Sequence, residues 1–279
     1  MIVVTGATGN VGRPLVQALA TAGEQVTAVS RRPSEASAPK GVLHRQADLA
    51  EPERLKPVLD GADALFLLVS ADGENLNPQG ILDAVKAGGV RRVVLLSSLG
   101  VGTRPESLSH THLREFEHAV HQAGPDWTVL RPGGFASNAF AWAETVRSQR
   151  TVAAPFADIG LPVIDPADIA EVAAAALRDG SHAGRTYELT GPAPVSPREQ
   201  AHAIEDALGS SVRFVELSRA EARAQMVQFM PEPVVDGTLT ILGEPTAAEQ
   251  RVSPDIERIL GRGPRTFAEW AVRNIAAFR

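Results

Sequence analysis

The residues best suited to chemistry in this 279-residue sequence are three glycines at three-residue spacing near its start. They stand in residues 5–12, Thr-Gly-Ala-Thr-Gly-Asn-Val-Gly, directly after an apolar run. Glycines at these positions allow a tight turn, close approach of backbone N–H groups to phosphates, and close packing of the next helix. The helix N-terminus also favours anions. The segment predicts a dinucleotide site rather than a turn without ligand, with contacts from Gly6, Thr8, Gly9, Asn10, Val11 and Gly12.

The end of the second predicted strand indicates which dinucleotide is bound. A site selective for NAD usually places an acidic side chain there, but this chain has Ser30, Arg31 and Arg32. Guanidinium groups match a 2′-phosphate in charge and geometry, so NADP(H) is the expected cofactor and a solvated arginine pair is the alternative. Asp48 and Leu49 follow the third predicted strand and are expected beside the adenine, unless Asp48 is a simple turn residue.

Short β-branched or leucine-rich runs alternate with amphipathic helical stretches, which predicts a parallel sheet with helices on both faces. The predicted strands are 2–4, 25–30, 42–45, 64–70, 92–97 and 127–130. The predicted helices are 11–22, 53–59, 78–87 and 109–122, each followed by a glycine that signals a helix end.

The alternation loosens beyond about residue 150. Ser196, Ser218 and Thr266 each precede a glutamate by three residues, which is the capping-box pattern that opens a helix. We therefore expect an α/β Rossmann-type, doubly wound sheet with a smaller, mostly helical C-terminal lobe. The predicted division is an NADP(H)-binding domain over 1–150 and a substrate lobe over 151–279, part of which returns to the sheet.

Four ordered segments together resemble the NmrA-like atypical short-chain reductases. They are residues 5–12, then 130–133 (Leu-Arg-Pro-Gly) with Phe135 and Asn138, then 165–170 (Asp-Pro-Ala-Asp-Ile-Ala), then 187–191 (Tyr-Glu-Leu-Thr-Gly). The resemblance covers nearly the whole chain. It implies that Pro132 and Gly133 border the nicotinamide, in a family of quinone and triphenylmethane reductases that also contains nucleotide-binding regulators without turnover.

The proton donor departs from the usual short-chain dehydrogenase pattern, in which a Tyr-x-x-x-Lys pair performs acid–base chemistry. The sole tyrosine is Tyr187, and the lysines are Lys40, Lys56 and Lys86, so this pair is excluded. The predicted stand-ins are His110 as acid and Arg114 as a ligand of an oxyanion or of the ribose. Alternatively, they are polar positions of a helix. The histidines show no recognisable metal pattern, so no metal is expected.

Other polar and apolar residues are expected near the ligands. Ser97 and Ser70 end predicted strands, where open α/β sheets bind ligands, although a plain strand end explains both equally well. An apolar substrate pocket is expected from aromatic and methionine side chains with one neighbouring amide, core packing being the alternative. These residues are Phe135, Asn138, Phe140, Met226 and Phe229.

The expected NADP(H) site and the missing tyrosine acid favour an NADPH-dependent reductase of a small conjugated acceptor such as a quinone or enone. The net charge of −6 does not favour nucleic acid, and the absence of cysteine excludes disulfides and thiolate sites. No apolar stretch is long enough to span a bilayer and no export signal is evident, so a cytoplasmic protein is expected. The alternatives are a non-catalytic NADP(H) sensor and, with less support, an epimerase or lyase. Homodimer formation is left open.

Overall fold

Nine strands form two sheets in the computed structural model, which describes residues 1–32, 39–69 and 76–279. The strands are β1 (Ile2–Thr5), β2 (Val26–Ser30), β3 (Leu43–Gln46), β4 (Ala64–Leu68), β5 (Arg92–Leu96), β6 (Asp126–Pro132), β7 (Thr151–Pro155), β8 (Arg185–Leu189) and β9 (Arg213–Leu217). Seven of them form a sheet in the order β3-β2-β1-β4-β5-β6-β8, and β7 pairs with β9. All six predicted strands are present.

Thirteen α-helices occur in the described part of the chain. They are α1 (Gly12–Thr21), α2 (Pro52–Leu59), α3 (Pro78–Ala87), α4 (Leu99–Thr103), α5 (Thr111–Gln122), α6 (Ala143–Gln149), α7 (Pro166–Arg178), α8 (Pro197–Leu208), α9 (Arg219–Met226), α10 (Glu232–Gly243), α11 (Ala247–Gln250), α12 (Asp255–Leu260) and α13 (Phe267–Asn274). None of these helices is long and apolar enough to cross a membrane.

The large sheet is doubly wound, as predicted. The pairs from β3 through β6 are parallel, and the chain reverses its direction of winding between β1 and β4. Alternate strand residues such as Leu65 and Leu67 pack with α2, α3 and α5 in one core cluster. Helices α1 and α7 pack against each other and contact the strands from the opposite face. Parallel winding brings the carboxyl ends of β1 to β6 to one edge, where such folds bind ligands.

The described residues divide into two compact units. The first contains 1–101, 110–132 and 166–188, and the second contains 102–109, 133–165 and 189–279. In the second unit, Trp270 and Phe278 belong to a core cluster that also includes Val152 of β7. All three predicted capping boxes, before α8, α9 and α13, are confirmed.

A fourth capping box, which the sequence analysis missed, joins Thr246 to Glu249 at the start of α11. Glu249 is buried and accepts hydrogen bonds from Arg104 Nε at 2.7 Å and Thr103 Oγ1 at 3.0 Å. Burial works to raise the pKa of the Glu249 carboxyl, but hydrogen bonds from Arg104, Thr246 and Thr103 outweigh it and hold that pKa below its ordinary value. Residues 103–104 are thereby fixed to α11 within the second unit.

Candidate active site

The loop after β1 begins with a glycine that no other residue replaces without strain. Gly6 has a φ of +63°, in the left-handed region, and a Cβ there would lie 3.1 Å from the side chain of Leu68. The next residue, Ala7, donates its N–H to the carbonyl of Val29 at 3.1 Å. The loop therefore turns sharply at the carboxyl end of β1 and stays attached to β2.

The other two glycines have different surroundings. A Cβ on Gly12 would lie 2.1 Å from the Gly6 carbonyl oxygen, so glycine is needed where α1 begins against the loop. A Cβ on Gly9 would meet that same oxygen at 3.3 Å, and Thr8, Gly9 and Asn10 are exposed. Gly9 uses both of its backbone groups internally, since its N–H donates to the Gly6 carbonyl at 3.0 Å and its carbonyl accepts the Arg13 N–H at 3.1 Å. The exposed part of the loop that can face a phosphate group is therefore at Thr8 and Asn10, whereas Val11 and Gly12 are buried beneath it.

Replacing Gly12 by alanine is expected to destabilise the protein and to abolish tight NADPH binding, because the added methyl group overlaps loop backbone atoms. Overpacking of this kind costs about 1–3 kcal/mol of unfolding free energy, which urea denaturation measures. Gly9→Ala is the matched control: it should keep the unfolding free energy within about 1 kcal/mol while weakening NADPH binding. An unchanged urea midpoint for Gly12→Ala would contradict this packing role.

A cavity of about 450 Å³ lies beside this loop. Its walls come from the loop and from the ends of β2, β3 and β4, and they include Arg31, Asp48 and Leu49. The volume lies within the range of small-molecule sites. An exposed glycine-rich loop that leads into α1 lies at one cavity with Arg31, and this combination fits the phosphates and adenosine of a dinucleotide.

The predicted contacts around this cavity are arranged as follows. Arg31 and Arg32 are exposed after β2, and Gln46 donates its side-chain Nε2 to the Arg31 carbonyl at 3.0 Å. Asp48 uses Oδ1 to accept the N–H of Ala50 at 3.0 Å, which makes it a turn residue as well as part of the cavity wall. Ser70 lies outside the described residues. Contact of these side chains with a cofactor stays a prediction.

Ser97, expected to face a ligand, is buried and directs its hydroxyl to Glu117. The Ser97 Oγ donates to Glu117 Oε1 at 2.5 Å, and the same carboxylate accepts Arg131 Nε at 2.9 Å and Nη2 at 2.6 Å. Glu117 is 4% exposed, so its carboxylate is largely withdrawn from water. Hydrogen bonding to Glu117 raises the pKa of the Arg131 guanidinium, against the effect of burial.

This Ser97–Glu117–Arg131 cluster joins the end of β5, the middle of α5 and the end of β6. This cluster was not predicted from the sequence. The signal for it was Arg131, a charged residue directly after the apolar residues 129–130, because a guanidinium partly withdrawn from water favours a carboxylate partner. The cluster fixes the backbone that leads into Pro132, which is buried at the end of β6.

The predicted catalytic residues lie at the start of α5. His110 directly precedes the helix, and its ring lies against Gly100, where a Cβ would be 2.4 Å from the ring Nε2. Arg114 is in the first turn and donates Nη2 to Thr111 Oγ1 at 2.9 Å. Its Nη1 is buried and has no hydrogen-bond partner among the residues the structure describes. Tyr187 is elsewhere, on β8, with its hydroxyl 2.9 Å from His182 Nδ1.

The residues predicted around the nicotinamide and substrate follow β6. Gly133 donates its N–H to the Leu189 carbonyl at 2.9 Å. Phe135 forms an isolated bridge with Ile164, and Asn138 is exposed on the short helical segment after it. Gly133 therefore uses its backbone donor internally, while the Asn138 side chain faces solvent.

The other predicted substrate residues separate into two clusters of the second unit. Phe140 packs on Trp270, with ring centroids 5.0 Å apart. Met226 packs in a different cluster around Val235, and Phe229 is 85% exposed just after α9. The structure does not bring Phe140 and Met226 into one apolar cluster, and their contact with a substrate stays a prediction.

Comparison with known proteins identifies the family. Residues 6–180, which include the glycine loop and the cavity described above, match a family model described as NAD(P)H-binding. The chain belongs to this NAD(P)H-binding family. The predicted resemblance to NmrA-like reductases is likewise confirmed.

This NAD(P)H-binding chain is similar over its whole length to named reductases. It is 36% identical to a (4-alkanoyl-5-oxo-2,5-dihydrofuran-3-yl)methyl phosphate reductase of Streptomyces griseus, covering 100% of this chain and 99% of the relative. It is 31% identical to an NAD(P)H azoreductase of Xenophilus azovorans, with the same coverage. A solved Escherichia coli NADPH-dependent quinone oxidoreductase complexed with NADPH has a TM-score of 0.82 at 26% identity, covering 98% of this chain and 99% of that one.

The NAD(P)H-binding protein is thus an NAD(P)H-dependent oxidoreductase. The predicted cofactor and the predicted reductase class are confirmed, and the reductase is favoured over the non-catalytic sensor.

Proposed function

We propose that the chain reduces small conjugated acceptors, quinones or enones, with NADPH as the preferred hydride source. The observation that carries this proposal is a nicotinamide dinucleotide site without the usual tyrosine acid. Tyr187 is held by His182, and no lysine stands four residues after it. An enzyme without a tuned phenol is best suited to acceptors whose reduction leaves a stabilised anion.

The preference for NADPH rests on the end of β2. Arg31 lines the cavity and Arg32 is exposed next to it, at the position where NAD-selective sites usually have a carboxylate. Forked guanidinium donors bind phosphate oxygens more strongly than they bind a hydroxyl group. We therefore assign the 2′-phosphate to Arg31 and Arg32.

The acceptor class follows from the chemistry of the compounds that the relatives' names contain. A quinone, and a 5-oxo-2,5-dihydrofuran with a 4-alkanoyl group, both have a carbon–carbon double bond conjugated to carbonyls. Bound NADPH supplies a hydride, so each turnover consumes one NADPH and one proton and yields NADP⁺ and the reduced acceptor. The electron pair of the double bond is then spread over carbonyl oxygens, which lowers the demand for a strong acid.

His110 and Arg114 are the side chains that we assign to the reacting end of the acceptor. They are one helical turn apart at the start of α5, which follows the central strand β5. The His110 imidazole can donate a proton, and the Arg114 guanidinium can stabilise negative charge on oxygen. We also propose that the protein is cytoplasmic and that the acceptor is contacted by Phe135, Asn138, Phe140, Met226 and Phe229.

Consumption of NADPH with a panel of acceptors tests the proposed function. Quinones and conjugated enones should support NADPH oxidation, whereas saturated ketones of similar size should support at least about tenfold less. The reason is that a ketone gives a strongly basic alkoxide and is best served by the tyrosine acid that this chain lacks. Binding of NADPH without oxidation by any acceptor would contradict the proposal and favour the sensor. Ketone reduction as fast as enone reduction would contradict the assigned acceptor class.

A further inference from the structure

Arg114 is a guanidinium without a carboxylate partner in the described part of the chain. Its one hydrogen bond there is from Nη2 to Thr111 Oγ1, and its Nη1 is buried without a partner. By contrast, the partly buried guanidinium groups of Arg131 and Arg104 each make two bonds to a buried carboxylate. Because an ionised N–H withdrawn from water and left unpaired is costly, the surroundings of Arg114 favour the arrival of an anion.

The charges around Arg114, at the start of α5, also favour a bound anion. Arg114 is in the first turn of α5, whose positive end has no side-chain cap from His110 and no acidic residue in its first turn. The carboxylate one turn further along the helix, Glu117, is occupied by Arg131 and Ser97. Nothing in this turn neutralises the Arg114 guanidinium.

The position of α5 in the fold separates this charge from the cavity lined by Arg31. Helix α5 packs on β5 and β6, whereas the cavity is lined from the ends of β1 to β4 and includes no residue of α5. The cofactor phosphates therefore already have the glycine loop and Arg31. An anion beside Arg114 is best explained as part of the acceptor.

We propose that the acceptor carries a phosphate ester, and that Arg114 and the start of α5 bind this phosphate. The inference rests on the proposed function and narrows its acceptor class. The Streptomyces griseus relative supports it, since its name describes a conjugated lactone with a methyl phosphate substituent. Arg114 is then the residue that determines specificity for the phosphorylated form over the free alcohol.

Two acceptors and one variant test this inference. The acceptors are a 4-alkanoyl butenolide with a 3-hydroxymethyl group and its phosphate monoester. Arg114→Met should raise the KM for the phosphate ester at least roughly tenfold more than it raises the KM for the alcohol, while changing the Kd for NADPH by less than about twofold. Arg114→Lys should recover part of the lost affinity for the phosphate ester, because lysine keeps the positive charge but lacks the forked donors of arginine. An equal rise in the KM for both acceptors, or a larger Kd for NADPH instead, would overturn the assignment of Arg114 to the phosphate.

A binding measurement separates this inference from the proposed function. The saturated, phosphorylated lactone is titrated calorimetrically into enzyme loaded with NADP⁺, which requires no turnover. We expect the wild type to bind it at least about tenfold more tightly than the unphosphorylated lactone, and Arg114→Met to lose this difference. Equal binding of the two lactones by the wild type would overturn the inference. An enzyme that shows the phosphate-dependent binding but reduces no conjugated acceptor would refute the proposed function alone.

Discussion

The double variant Arg31→Ala, Arg32→Ala is expected to bind NADPH roughly 10- to 100-fold more weakly, with little change in NADH binding. Charge-assisted hydrogen bonds to a phosphate contribute about 1.5–3 kcal/mol, and NADH has no 2′-phosphate to lose them. Both arginines are exposed at the end of β2, and Arg31 is in the cavity wall. Cofactor fluorescence titrations with NADPH and NADH measure the two dissociation constants.

Arg45→Ala is the matched control for this experiment. Arg45 is exposed on the neighbouring strand β3 and pairs in register with Val29, but it does not line the cavity. Its removal changes the net charge without removing a proposed phosphate ligand, so the preference for NADPH should persist. Equal losses for NADPH and NADH in the Arg31, Arg32 variant would contradict recognition of the 2′-phosphate.

Replacing Glu117 by leucine is expected to lower the free energy of unfolding by about 3–5 kcal/mol. The change leaves the partly buried Arg131 guanidinium without its carboxylate and the buried Ser97 hydroxyl without its acceptor, and both losses are destabilising. Urea denaturation measures this difference, and Glu115→Gln on the exposed face of the same helix should leave the free energy almost unchanged.

A double replacement shows whether the unpaired charge causes the loss. Glu117→Leu combined with Arg131→Leu should be more stable than Glu117→Leu alone, because no partly buried charge is left without a partner. If Arg131→Leu instead lowers the free energy of unfolding further, Glu117 and Arg131 do not act as a coupled pair. That result would contradict the role given to the unpaired charge.

The Rossmann-type half of the fold could be predicted because its signals are local. Each strand from β1 to β6 is a short apolar run, and glycines or prolines mark the neighbouring helix ends. The β7–β9 sheet could not be predicted in this way. It pairs Val152 with Phe214, about sixty residues apart, and its strands contain proline, arginine and glutamate, so neither strand has a clear alternating pattern.

The parts of the site that depend on backbone geometry could be predicted from the sequence. Gly6 and Gly12 have the strained or crowded positions that their spacing implied. The direction of a polar side chain depends on a partner distant in sequence, so the bond from Ser97 to Glu117 was not foreseen. The unsatisfied Nη1 of Arg114 also depends on tertiary packing, which the sequence pattern does not contain.

The central claim is that this NAD(P)H-binding protein transfers a hydride to the double bond of a conjugated acceptor. The most direct measurement uses NADPH deuterated at both C4 positions with a conjugated enone, followed by NMR of the product. We predict deuterium at the carbon β to the carbonyl, with the carbonyl retained. Deuterium at a newly formed carbinol carbon, or its absence from the product, would contradict the account.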